Sequence, residues 1–177
     1  MKLQAVFLDR DGTLGDGASA ERPSDFRLYP FAPQALELLR GAGLKLFAFT
    51  NQSGIARGPA AGYDFLAEFQ GYGLHGMYLC PHRPEDGCNC RKPKPGMLWQ
   101  AQRDHGLQLS RCVVVGDRWS DLVAARTARC LAVLVKTGAG LEALGPYRHK
   151  WAGKEADYVA EDVLDASRWI VEQTRDL

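Results

Sequence analysis

Phe7-Leu8-Asp9-Arg10-Asp11-Gly12-Thr13 follows directly on Ala5 and Val6, so an apolar run ends in two acids and a glycine. In an extended strand, residues two apart share a face, so Asp9 and Asp11 aim at one point while Arg10 turns away. Gly12 lets the backbone bend sharply as it leaves the strand. Two carboxylates so placed can divide a reaction, one attacking as a nucleophile while the other gives and takes protons. Their shared charge would repel an anionic substrate, so this chemistry requires a divalent cation between them. The plain alternatives are a surface turn or a calcium loop. The buried lead-in opposes the first, and Ala20 at the twelfth position, where such a loop needs Glu, opposes the second.

Outward from this stretch, short apolar runs alternate with helix-period segments, the pattern of a parallel sheet covered by helices. Strands are expected at 5–8, 44–50, 76–79, 112–116, 131–135 and 158–159. Helices are expected at 33–40, 63–70, 95–105 and 119–129, with a last one starting beyond the N-cap Asp162. Residues 15–24 read as a Gly-, Ala- and Ser-rich loop. The expected fold is a three-layer α/β/α sandwich with a central, mostly parallel, Rossmann-like sheet.

The chain has 177 residues, 46% of them hydrophobic, which suits one domain spanning residues 1–177. With 22 basic and 21 acidic residues the net charge is +1, so no global field selects nucleic acid or an anionic membrane. No apolar window approaches a membrane span, and residues 1–8 are too brief for a signal sequence. A cytoplasmic protein is expected, in which clustered cysteines are metal ligands more often than disulfides.

Other polar signals fall at the ends of expected strands, where open parallel sheets bind ligands. Thr50 and Asn51 close the second strand, and Asp117 closes the run Cys112 to Gly116, with Asp121 one helical turn on. Alone, Thr50 would be a strand-end cap and Asp117 a helix cap. Two acids four apart share a helix face, however, so Asp117 can ligate Mg²⁺ while Asp121 orients Asp117, a water or a lysine. Arg91-Lys92-Pro93-Lys94-Pro95-Gly96 offers the cation that phosphoryl transfer needs, and local pattern leaves Lys92 and Lys94 equal candidates.

Cys80, His82, Cys88 and Cys90 form a Cys₃His set within eleven positions. Such a set suits tetrahedral Zn²⁺, and a complete protein shell leaves no open position for catalysis, so the zinc is expected to be structural. It would order an insert, 80–90, that has almost no apolar content, and it would fix Arg91 and Lys92. The basic residues around this loop could suggest a nucleic-acid module. The balanced charge and the lack of aromatic residues in the loop oppose that.

Taken in order, FLDRDGT, FTNQSG, RKPKPG and GDRWSD resemble the four motifs of the haloacid dehalogenase superfamily of phosphohydrolases, from Val6 to Val135. The resemblance implies that Asp9 is the nucleophile, Asp11 the acid/base and Thr50 a phosphate ligand. It also makes Lys92 the phosphate-stabilising lysine, and it implies Mg²⁺ held by Asp9, Asp117 and the Asp11 carbonyl. The Cys-Pro-His and Cys-x-Cys-Arg-Lys-Pro motifs resemble a capless, zinc-binding branch containing heptose bisphosphate and histidinol phosphate phosphatases. The run from Thr50 to Gly58 is similar to the heptose group, whereas Pro23-Ser24-Asp25-Phe26 is more similar to the histidinol group. On this resemblance Asn51, Gln52, Ser53, Arg57 and Arg91 are expected to meet a small phosphorylated metabolite, the two arginines facing a second phosphate. A monomer is expected.

Overall fold

Ala5–Leu8 forms β1 in the middle of a six-stranded sheet because every side chain along it has an apolar face to enter. In this computed structural model, which describes residues 2–17 and 22–175, β1 is flanked by β4 (Lys45–Asn51) and β6 (Cys112–Gly116). Beyond them lie β5 (Gly76–Cys80) on one side, and β7 (Leu131–Val135) and β8 (Tyr158–Ala160) on the other. Every pairing in this sheet is parallel.

The period of two divides the sheet's side chains between two cores. Val6, Leu8, Leu46, Ala48, Val113 and Val115 face one core, and Ala5, Phe7, Phe47, Phe49, Cys112 and Val114 the other. Leu36 and Leu39 of α1 (Ala32–Gly41), Phe65 and Phe69 of α3 (Phe65–Gly71) and Ile170 of α7 (Val163–Arg175) close the first. Leu98 of α4 (Gly96–His105) and Leu122 of α5 (Trp119–Thr127) close the second. The result is the expected three layers. At about 1.5–3 kcal/mol for each large apolar side chain buried, these two faces dominate the fold's stabilisation.

Some boundaries differ from the sequence expectation. The helix expected from Tyr63 starts at Phe65, since the Asp64 side chain accepts a hydrogen bond from the Ala67 N–H at 2.9 Å and so caps it. The expected loop 15–24 contains part of a small hairpin, β2 (Gly15–Asp16) paired antiparallel with β3 (Arg27–Leu28), and a 3₁₀ turn at Pro23–Asp25. Residues 18–21 of that loop lie outside the described residues. The short helices α2 (Gly54–Arg57) and α6 (Gly140–Leu144) complete the elements named here. No described helix is long and apolar enough to cross a membrane.

Neighbours of β1 on its two sides come from different parts of the chain. Its carboxyl end is therefore the point where strand order reverses, and a crevice opens there.

Candidate active site

Asp9 stands one residue past β1, and its N–H still pairs with the Val115 carbonyl at 3.0 Å. That pairing holds it at the floor of the crevice, 5% exposed. Asp117 follows β6, and Asp121 lies in the first turn of α5; both are buried. Oxygen atoms of these three acids lie within 4.8 Å of one another.

Lys92 is also buried, and its ammonium has a partner for each of its three protons. Nζ donates to Asp121 Oδ1 at 2.7 Å, to the Phe49 carbonyl at 2.8 Å and to Asp9 Oδ1 at 3.1 Å. Asp121 thus orients the lysine, one of the three roles open to it from sequence, and its other oxygen accepts the Arg118 N–H at 3.0 Å. Lys94, the competing lysine, points elsewhere and donates to the Cys88 carbonyl at 2.6 Å. Asp117 accepts from the Ala139 N–H at 2.8 Å and from the Thr13 hydroxyl at 3.4 Å.

Gly12 and Gly138 make room for Asp117. Both have positive φ, +88° and +57°, and a Cβ on either would sit 2.1 or 2.2 Å from Asp117 Oδ2. The bend expected at Gly12 therefore also brings its backbone against the carboxylate.

Three carboxylates and one ammonium leave an excess of negative charge in a dry site. Burial pushes Asp9 well above the ordinary carboxylate range, with Lys92 pulling it down and Asp121 and Asp117 pushing it further up. Burial and the charge of Asp121 raise Asp117. Burial alone would lower the Lys92 ammonium, yet Asp121 and Asp9 hold it above its usual value. Hard oxygen ligands with unbalanced negative charge fit a divalent cation such as Mg²⁺.

A stability prediction follows from the raised acids. A native carboxyl with a raised pKa binds more protons than its unfolded counterpart above about pH 3.9, so stability falls as pH climbs through the folded value. Metal-free protein should therefore lose stability through this cluster as pH rises above about 3.9, and a bound divalent cation should offset the loss. At about 100 times its dissociation constant a cation adds about 2.7 kcal/mol, or roughly 5–10 °C in Tm for a chain of this size. Thermal unfolding should show a larger Mg²⁺-induced rise at about pH 7.5 than at about pH 5. Equal rises would remove the raised acids as the cause.

Asp11 is less buried than Asp9, with its side chain 28% exposed. Its Oδ1 accepts from Arg10 Nη1 at 2.8 Å, and its Oδ2 from Gln52 Nε2 at 2.7 Å. Gln52 also donates to the Thr50 hydroxyl at 2.9 Å, linking the ends of β1 and β4. Asn51, expected on the substrate, closes its amide onto the Lys92 backbone, Oδ1 accepting at 3.1 Å and Nδ2 donating at 3.3 Å. It holds the lysine's main chain 41 residues away in sequence.

A cavity of about 660 Å³ opens over these groups. Asp9, Asp11 and Lys92 line it together with Asn51, Gln52, Ser53, Arg57 and Arg91, all expected from sequence, and with Arg118 and Trp119, which were not. Arg118 sits between Asp117 and Asp121, so the motif that marks those acids also marked it. A larger groove, about 940 Å³, runs past Tyr78, Met97 and Trp99 and holds none of the three acids, so it is not where this chemistry converges.

The Cys₃His set is brought together at the far end of β5. Cys80 Sγ lies 3.5 Å from His82 Nδ1, 3.6 Å from Cys88 Sγ and 3.2 Å from Cys90 Sγ, and His82 Nδ1 lies 3.2 Å from Cys90 Sγ. Four ligands about 2.3 Å from one ion would stand about 3.7 Å apart, so the set fits Zn²⁺ closely. Burial raises the Cys80 thiol to about 12. At Cys88 burial is outweighed by the Arg91 N–H and the neighbouring thiols, which lower it to about 6. Lys92 is two residues beyond Cys90, and the Arg91 guanidinium donates back to the His82 carbonyl at 3.3 Å.

A HAD-hydrolase-like family model matches residues 89–166. D-glycero-beta-D-manno-heptose-1,7-bisphosphate 7-phosphatase of Haemophilus ducreyi is 39% identical over 96% of this chain and 100% of its own length. The D-glycero-D-manno-heptose-1,7-bisphosphate 7-phosphatase of Thermosynechococcus vestitus is also 39% identical, over 96% of each chain. Among solved structures, D,D-heptose 1,7-bisphosphate phosphatase from B. bronchiseptica, complexed with magnesium and phosphate, superposes with a TM-score of 0.85. It is 31% identical, and the match covers 97% of this chain and 99% of that one.

Proposed function

The chain belongs to the haloacid dehalogenase-like phosphatases, and we propose that it removes the 7-phosphate of D-glycero-D-manno-heptose 1,7-bisphosphate. The observation that carries this reading is the cavity that joins buried Asp9 and Lys92 to Arg57, Arg91 and Arg118. A bisphosphate needs cations at two places, one at the reacting phosphorus and one further out. Full-length kinship with heptose bisphosphate phosphatases supports the same substrate.

In the proposed reaction the reacting phosphate lies above Asp9, with Lys92 and the Thr50 hydroxyl against its oxygens. Asp9 and Asp117, with the Asp11 carbonyl, would hold Mg²⁺, which would neutralise excess carboxylate charge and polarise the phosphoryl group. An oxygen of Asp9 attacks phosphorus and the ester P–O bond breaks, while Asp11 gives its proton to the departing sugar oxygen. Water then attacks the aspartyl-phosphate, Asp11 takes a proton from that water, and the bond to Asp9 breaks to release inorganic phosphate. Asn51 and Asp121 act on Lys92 by fixing its backbone and its ammonium. Cys80, His82, Cys88 and Cys90 would hold Zn²⁺, which would fix the segment that carries Lys92. On this reading residues 1–177 act as one capless domain, without a second subunit at the site.

The test is kcat/KM with Mg²⁺ for the heptose bisphosphate, for histidinol phosphate and for simple phosphomonoesters. We expect a preference for the heptose bisphosphate of about 10²-fold or more, about 2.7 kcal/mol of differential transition-state binding. A preference for histidinol phosphate, or equal rates across the series, would overturn the substrate assignment.

A further inference from the structure

Arg10 is the bulkiest of the fully buried side chains among the described residues, and none of the steps above uses it. Its Nε and Nη2 meet the two oxygens of Glu68 at 2.7 and 2.8 Å, a bidentate pair across 58 residues of chain. Nη2 also donates to the Pro23 carbonyl at 2.9 Å, and Nη1 to Asp11 Oδ1 at 2.8 Å. The guanidinium carbon lies 3.9 Å from the centre of the Phe26 ring and 5.3 Å from that of Phe65. Glu68 is itself fixed by the Tyr63 hydroxyl at 3.0 Å.

Stability alone does not account for this pair, because burying two charges costs about as much as their attraction returns, and apolar residues of similar volume do as well. What the pair supplies is one N–H in a fixed direction. We infer that Arg10 and Glu68 are positioning residues that hold the Asp11 carboxyl in line for proton transfer. Asp11 is the most exposed of the four acids at the site, and each of its carboxylate oxygens is held by one side-chain donor. Arg10 on one oxygen and Gln52 on the other supply that constraint, and proton transfer is sensitive to misplacement of this kind.

The inference rests on the role proposed for Asp11, and the experiment separates the two. An alkyl phosphate needs a proton on its leaving oxygen, whereas 2,4-dinitrophenyl phosphate leaves as a stable phenolate without one. Four variants are compared on both esters: Asp11→Asn, Arg10→Lys, Glu68→Gln and the double variant Arg10→Met with Glu68→Leu. The double variant fills the same space and removes both buried charges, so it folds even where a single change does not. The ratio of kcat/KM for alkyl over aryl ester should fall about 10²-fold or more in Asp11→Asn, and by at least about 10-fold in the three others. The aryl ester should also give a burst of about one phenolate per enzyme before slower turnover, because water attack needs Asp11 as well. If the ratio is unchanged in Asp11→Asn, the role of Asp11 falls. If it falls there but not in the folded Arg10 and Glu68 variants, or if those lose both activities in equal proportion, the positioning role is overturned.

Discussion

Replacing Asp9 with Asn is expected to lower kcat/KM by at least about 10⁴-fold while leaving the fold intact. The amide keeps the shape of the carboxylate and retains an oxygen for the Lys92 ammonium, now 3.1 Å away. It lacks the nucleophilic oxygen that would attack phosphorus, and removing a nucleophile costs more than removing any group that assists it. The variant should be no less stable than the parent without metal, because the change removes one of three mutually repelling buried acids. Phosphate release and thermal unfolding check the two halves of this result. Activity within about tenfold of the parent, in a folded variant, would remove Asp9 from the reaction.

Withdrawal of the zinc proposed for the Cys₃His set is expected to lower stability and activity together. The segment 83–87 is exposed, and its regular structure is one 3₁₀ turn held by Arg83 and Asp86, so little besides the ligand cluster orders it. Structural zinc contributes about 10–16 kcal/mol of apparent binding energy in small zinc-folded peptides, and ordering this loop draws on the same source. Lys92 is two residues beyond Cys90 and is tied from the other side by the Asn51 amide. Loss of the ion should therefore displace the lysine's main chain. Cys90→Ser, or exhaustive chelation, should lower Tm by several degrees and kcat by about tenfold or more, and zinc but not magnesium should restore the chelated protein. Unchanged activity in protein shown to be free of zinc would separate the loop from the reaction.

Much of this arrangement was legible because it is carried by short-range pattern. Alternation along β1, β4 and β6 divides the side chains between two cores, and the same period of two sets Asp9 and Asp11 at the end of β1. Cys80, His82, Cys88 and Cys90 were readable because metal ligands need chemistry and closeness, and eleven consecutive positions supplied both. Local pattern could not choose between Lys92 and Lys94; family resemblance could, and the fold separates them by burying one among the acids.

Most of what was not legible is long-range. Arg10 was expected to turn away from both acids, yet it bonds Asp11 at 2.8 Å, and nothing in its neighbourhood marks Glu68 as its partner. Asn51 lines the cavity as expected, but nothing near it in sequence marks the Lys92 backbone, 41 residues distant, as the partner of its amide. The hairpin of β2 and β3 escaped because two-residue strands are too short to show alternation. Arg118 was overlooked between two acids whose own signal was stronger.

The most direct test of the account asks where the phosphoryl group goes. Asp11→Asn protein is mixed with Mg²⁺ and 2,4-dinitrophenyl phosphate, quenched in acid within one turnover, reduced with borohydride and digested for peptide mass analysis. An aspartyl-phosphate at position 9 would be read as homoserine in the peptide that spans β1. That result is the one predicted. Homoserine at another position, or dinitrophenolate released with no modified residue, would contradict Asp9 as the nucleophile and the covalent route with it.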